Sequence, residues 1–283
     1  RKCDAVLMNG FEADFVPKAA AFTAARKKAR ATLLNVANTL MGTTLDDSTL
    51  IVATSGRYEF KNKGIDVFID AMNRLNHDAN LNRNVLAFIE VPGWQAGPRE
   101  DLKGRLESGM KYNSPLDFPI ITHNLHQYDG DRATEMMKWL DMYNQSDRRV
   151  KVIFVPCYLD GQDGIFNMSY YDLLIGNDLS VYPSYYEPWG YTPLESVAFK
   201  VPCVTTSLSG FGMWANKVKG GDSHLEDGVE VLSRNDYNFD EVADGICRSI
   251  CQYASYDKKQ QDAIAKLIQY FDTTKFRLFI FLK

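Results

Sequence analysis

The stretch Leu50–Leu75, LIVATSGRYEFKNKGIDVFIDAMNRL, decides the reading of the fold. Leu50–Thr54 is a short apolar run without strict polar alternation, as in a β-strand covered on both faces. Ser55–Gly64 is a loop bearing two glycines, and within Gly64–Leu75 the apolar Ile65, Phe68, Ile69 and Met72 recur at helical spacing. A strand, a glycine-bearing loop and an amphipathic helix in that order make a βα unit, the building block of a parallel sheet.

The same alternation repeats outward. Val85–Val91, Val150–Val155, Leu179–Tyr182 and Val201–Thr205 read as further buried strands. Arg99–Tyr112, Asp131–Tyr143, Tyr170–Gly176 and Pro193–Phe199 read as helices between them. Lys18–Met41 reads as one or two helices before the first strong strand, and Asp240–Phe271 as two after the last. No internal repeat and no Gly/Ser linker divides the chain. The expectation is an α/β fold, a Rossmann-like doubly wound parallel sheet, in a single domain over 1–283 with its core at about 46–235 and helical flanks.

Composition narrows the function classes. With 283 residues, 45% hydrophobic and 24% charged, the chain has ordinary globular proportions and can bury a real core. A formal net charge of −4 lacks the basic excess on which nucleic-acid binders rely, so no nucleic-acid partner is expected. The five cysteines, Cys3, Cys157, Cys203, Cys247 and Cys251, are odd in number and form no CxxC pair, which fits a reducing cytoplasm. No apolar run approaches the ~20 residues that span a bilayer, so no membrane partner is expected. The apolar burst Phe276–Leu282 would be sticky on a monomer, and the chain starts at Arg1 as though inside a domain. Both suggest a piece of a longer protein.

Two loops carry candidate chemistry. Pro183–Glu195, PSYYEPWGYTPLE, follows a strand and opens a helix, with Thr192 as predicted N-cap, Pro193 at the first helical position and Glu195 completing a capping box. A helix N-terminus behind a glycine at the C-terminal end of a parallel strand is a place for a phosphate. The Ser55–Gly64 loop brings Arg57 and Lys63 to the same sheet edge, where two cations can face one diphosphate. His123 and His126 lack a nearby set of acidic or thiol ligands in sequence, so no metal is expected there, and Cys247 and Cys251 read as two half-buried thiols one helical turn apart. Ser209–Gly212 lacks the third glycine of a dinucleotide fingerprint and reads as a loop bordering the pocket.

Gly56–Asp66 (GRYEFKNKGID), Thr122-His123-Asn124, Val150–Leu159 (VKVIFVPCYL), Pro183–Ser196 (PSYYEPWGYTPLES) and Leu208–Gly212 (LSGFG) together resemble the nucleotide-sugar half of fungal and animal glycogen synthases, glycosyltransferase family 3. The resemblance implies the C-terminal domain of a GT-B glycosyltransferase. Its expected reaction moves glucose from UDP-glucose to an α-1,4-glucan with retention, without metal or other cofactor. It implies Glu187 beside the transferred sugar, where a carboxylate favours positive charge developing at the anomeric carbon. It makes Glu195 a ribose ligand, a use that competes with the capping box and is preferred to it.

The same resemblance assigns Arg57 and Lys63 to the donor diphosphate, and Gly190, Tyr191 and Thr192 to the loop whose backbone holds the distal phosphate. Tyr158 and Tyr170 would flank the uracil, and Trp189 would be pocket wall. It implies as partners a glucan and an N-terminal acceptor domain absent from this chain; a homo-oligomer is left open by the sequence. The fragment alone is expected to bind nucleotide and catalyse poorly. Asp257–Lys283 lacks the arginine cluster with which family members bind glucose 6-phosphate, so control by that metabolite is not expected. Two rivals stay open: another GT-B glucosyltransferase that forms a disaccharide, and a noncatalytic module that senses nucleotide sugar or acts as a scaffold.

Overall fold

A computed structural model describes residues 9–271; Cys3 and the Phe276–Lys283 tail lie outside them. In chain order the elements are α1 (Ala19–Met41), β1 (Leu50–Ser55), α2 (Ile65–Asn76), β2 (Val85–Glu90), β3 (Gln95–Pro98), α3 (Glu100–Ser108), β4 (His123–Leu125), α4 (Arg132–Trp139), β5 (Val150–Val155), α5 (Tyr170–Leu174), β6 (Leu179–Val181), α6 (Tyr191–Ala198), β7 (Cys203–Thr206), α7 (Gly210–Lys219), β8 (Val229–Leu232), α8 (Phe239–Ser255) and α9 (Lys258–Leu267).

Six strands form one parallel sheet in the order β5-β2-β1-β6-β7-β8. β1, β2 and β5 are buried along their whole length, which explains their uninterrupted apolar sequence. Period-two alternation then sends neighbouring side chains to opposite layers. Leu50, Val52, Val85, Ala87, Val150 and Val152 pack with Phe68 and Met72 of α2 and Ile246 and Ile250 of α8. Ile51, Ala53, Leu86, Phe88, Ile153 and Val155 pack with Leu33 and Leu40 of α1 and Leu173 and Leu174 of α5. Both faces of the sheet are therefore covered, as in doubly wound folds.

The sheet has one strand more than the five expected: β8 extends the edge beyond β7. β3 and β4 add a separate antiparallel pair. The Lys18–Met41 segment is one helix, stopped by left-handed Gly42. Three helices are shorter than expected, α5 by two residues, ending at Leu174. α3 stops at Ser108 because Gly109 turns left-handed, and α4 stops at Trp139, with Asp141 at φ 54° two residues later. At the opposite edge from the β-strand C-termini, Asp178 accepts hydrogen bonds from Arg26 at 2.6 Å, Arg30 at 2.7 Å and the Ile51 backbone N–H at 2.8 Å, latching α1 to the sheet. Among the described residues no helix is long and apolar enough to cross a membrane.

Candidate active site

The strand order reverses between β1 and β6, and open α/β sheets bind ligands outside the C-terminal ends of the strands at that switch point. The two loops singled out in the sequence leave the sheet there. They are tied to each other: Tyr185 donates its backbone N–H to the Asn62 carbonyl at 2.8 Å, and Gly64, at φ 67°, lies against the Pro183 carbonyl. This docking brings the Lys63 ammonium and the Glu187 carboxylate into an ion pair, both side chains mostly buried. Glu187 is fixed from its other side as well. Its backbone N–H donates to Leu208 at 3.1 Å and its carbonyl accepts from Gly210 at 3.0 Å, so the Ser209–Gly212 loop does border the site.

The predicted capping of α6 is corrected by the structure. Gly190, at φ 106°, occupies the N-cap, so Tyr191 and Thr192 belong to the first turn and no side chain caps the helix. Thr192 and Glu195 consequently form no capping box. A glycine reaches this dihedral without the steric cost a Cβ would add, and the helix start is left open toward an anion. Glu195 instead accepts a 3.0 Å hydrogen bond from the Tyr171 hydroxyl. Burial raises the Glu195 carboxyl above its usual range, and the Tyr171 hydroxyl partly opposes this. The Tyr171 phenol is in turn pushed up to about 12, by burial first and then by Glu195. Tyr171 escaped the sequence analysis, which weighed only its neighbour.

The remaining candidates divide by exposure. Tyr170 is half-buried, and its hydroxyl sits 2.9 Å from Ser55 at the end of β1; burial raises that phenol well above its ordinary value. Tyr158 is 78% exposed, and Tyr191 is exposed on α6. Trp189 packs edge-on against Phe211, with centroids 6.1 Å apart, and beside Trp214, which makes it wall. Arg57 does not face Lys63's partner. It is 76% exposed and pairs with Glu59 at 3.1 Å, so the two cations of the loop have different carboxylate partners. Tyr58 anchors the loop through a 2.7 Å hydrogen bond to Asp131 and by accepting the Ala133 N–H at 3.0 Å.

Glu90 is a second residue that sequence reasoning missed. It ends β2, lies beside Ser55 in the ladder and is buried, with Oε2 lacking a hydrogen-bond partner. Burial alone pushes its carboxyl up to about 8. His123 is 1% exposed; the fold does bring Cys157 and Asp163 close to it, contrary to the expectation from sequence spacing. His123 and Asp163 are otherwise engaged in part. His123 Nε2 donates to the Asp163 carbonyl at 2.9 Å, its Nδ1 contacts Thr122 Oγ1, and the Asp163 carboxylate accepts backbone N–H groups from Ile165, Phe166 and Asn167. This histidine is a structural pin, and burial lowers its pKa.

Comparison with known proteins decides the family. The glycogen synthase family model matches residues 1–105 and 100–268. The chain belongs to the glycogen synthase family. Among curated glycogen synthases it is 28% identical over 271 residues to that of Neurospora crassa, covering 76% of this chain and 38% of the relative. It is 30% identical over 250 residues to isoform 2 of Saccharomyces cerevisiae, covering 68% and 34%. This glycogen synthase family chain thus spans well under half the length of those relatives. The crystal structure of WaaG, a glycosyltransferase involved in lipopolysaccharide biosynthesis, superposes with a TM-score of 0.52 at 12% identity over 95% of this chain and 51% of that one, a likeness of fold.

Proposed function

We propose that this chain is the donor half of a retaining glucosyltransferase that extends an α-1,4-glucan from UDP-glucose, the GT-B arrangement in which a second, N-terminal domain supplies the acceptor. The observation carrying the reading is the half-buried Lys63–Glu187 pair at the switch point, beside the uncapped start of α6. In this reading Lys63 releases Glu187 when the donor enters and turns its ammonium to the diphosphate, stabilising charge on the departing UDP without a metal. Glu187 is then free to accept hydrogen bonds from glucose hydroxyls and to favour positive charge at the anomeric carbon. Backbone N–H groups of Gly190, Tyr191 and Thr192 hold the distal phosphate, and Glu195, positioned by Tyr171, accepts from the ribose diol.

Arg57 swings from Glu59 to the diphosphate on binding, a motion its exposure leaves open. Tyr170 lies beside the uracil and Tyr158 closes over it. Free cysteines at 157, 203, 247 and 251 fit work in the reducing cytoplasm. Calorimetric titration with UDP, ADP and UDP-glucose tests the reading. Saturable UDP binding weakened at least about tenfold by Lys63→Ala supports it, at the ~1.4 kcal/mol per decade that one charge-assisted contact supplies. UDP binding that ignores Lys63→Ala overturns the assignment of the site.

A further inference from the structure

Asp78, Cys247 and Cys251 converge far from the switch point, on the seam between α2 and α8. Their ligand-type atoms, one carboxylate oxygen and two sulfurs, lie within 4.8 Å of one another. Cys247 and Cys251 are four residues apart on α8 and so share one face of it. Asp78 follows the C-terminal cap of α2, His77, and comes from the other side of the seam. Cys247 Sγ donates to Asp78 Oδ2 across 3.6 Å. Tetrahedral zinc, with Zn–S near 2.3 Å and Zn–O near 2.0–2.2 Å, has ligand–ligand edges of about 3.5–3.8 Å. The observed S···O separation already has that length.

The carboxylate is also held as a metal ligand needs to be. Oδ1 of Asp78 accepts from the Asn80 backbone N–H at 2.8 Å and its side-chain amide at 2.9 Å, which leaves Oδ2 directed at the thiols. Among the described residues no cation forms an ion pair with Asp78. His77 beside it is occupied: Nδ1 donates to the Asn73 carbonyl and Nε2 accepts from Arg148. Asp78 and Cys251 are each partly exposed, so an ion has an entry path.

We propose that Asp78, Cys247 and Cys251 form a binding site for a thiophilic divalent cation of the zinc class, which clamps α2 to α8. Two sulfurs with one oxygen select zinc over magnesium or calcium, whose shells are built from oxygen alone. The two thiols lose their protons to solvent as the metal–sulfur bonds form, no electron transfer occurs, and water fills the fourth position. The site lies on the two helices that cover one face of the sheet, so occupancy acts on the stability of the scaffold and needs no donor in the crevice.

Cobalt serves as the spectroscopic probe, with Cys3 replaced by Ser to remove the thiol outside the described residues. One equivalent of Co2+ should give thiolate-to-cobalt charge transfer in the near ultraviolet and the intense visible bands of a four-coordinate ion, both erased by one equivalent of Zn2+. Cys251→Ser, at a half-buried position, should abolish the charge-transfer band, and Asp78→Asn should weaken cobalt affinity at least tenfold. Excess Zn2+ should raise the parent's melting midpoint by a few degrees and leave that of Cys251→Ser unmoved. No thiolate band in the parent overturns the proposal. So does a band that survives Cys251→Ser and vanishes in Cys157→Ser, because the ion would then sit by His123. Circular dichroism of each variant separates lost binding from lost fold.

Discussion

The Tyr171 hydroxyl donates a 3.0 Å hydrogen bond to the Glu195 carboxylate, linking α5 to the second turn of α6 at the rim of the crevice. Burial raises the Glu195 carboxyl and this bond pulls it back, so Tyr171→Phe should raise it further. If ionised Glu195 binds ribose, nucleotide affinity weakens as pH falls through that carboxyl's pKa, and Tyr171→Phe moves the midpoint to higher pH. It should also cost roughly 1–2 kcal/mol of binding near neutrality. Calorimetry across pH checks both, and an unchanged pH profile in the variant would remove Tyr171 from the site.

Glu90 gives a stability signature with a definite sign. An unfolded glutamate ionises near its usual value of about 4.3, whereas in the native chain burial pushes the carboxyl up to about 8. Between those values the unfolded chain has released a proton that the native chain still holds, so stability falls as pH rises through this window. The slope is on the order of 1.4 kcal/mol per pH unit at its steepest. Glu90→Gln should flatten it and be more stable than the parent at the alkaline end. Urea midpoints across the window decide the matter; parallel curves for parent and variant would mean Glu90 titrates normally.

The half-buried Lys63–Glu187 pair should show measurable coupling. Removing either partner leaves an uncompensated charge in a half-buried position, so each single Ala variant should be less stable than additivity with the double variant implies. A double-mutant cycle on chemical denaturation should give a coupling energy above about 1 kcal/mol. A value near zero would place the pair among ordinary surface ion pairs.

Gly64 and Gly109 have nearly the same left-handed φ, 67° and 64°, in different surroundings. A methyl group on Gly64 would overlap the Pro183 carbonyl, whereas one on Gly109 meets open space. Gly109→Ala should cost only the dihedral term of about 1 kcal/mol, and Gly64→Ala at least about 2 kcal/mol more. Gly64→Ala should also weaken nucleotide binding, because it pushes the Lys63 loop away from the Glu187 loop. Equal losses in the two variants would mean the loops are not held by this contact.

The central strands were legible because burial on both faces forces an unbroken apolar run, as in Leu50–Thr54 and Val150–Val155. β8 was not, since an edge strand of four residues, VEVL, with Glu230 in its middle, reads as ordinary loop. Lys63 and Glu187 were picked out as separate candidates, but their contact spans 124 residues and exists only through the strand order. The α6 start misled because Thr192-Pro193 is a good local cap, and the docking of Gly190 beside Ser209 and Glu187 overrode that preference. Tyr170 and Tyr171 differ by about 100° around one short helix, an angle that sorts them between Ser55 and Glu195 and is invisible to composition. The Asp78–Cys247–Cys251 cluster needed α2 and α8 side by side.

The ladder joining β1 to β6 is confined to Val52 beside Leu179 and Ala53 beside Ser180, whereas β1 matches β2 along six residues. The β6–β7 ladder is equally short, Ser180 beside Cys203 and Val181 beside Val204, so three-residue β6 is held by two residue pairs on each side at the point where β5-β2-β1 gives way to β6-β7-β8. Local opening should begin at this strand, with amide protons on β6 exchanging ahead of those on β2, which is paired along six residues on both sides. A ligand that grips both the Lys63 loop after β1 and the Glu187 loop after β6 would tie these two strands together from outside the ladder, so donor capture would double as the fastening of β6 and slow its opening.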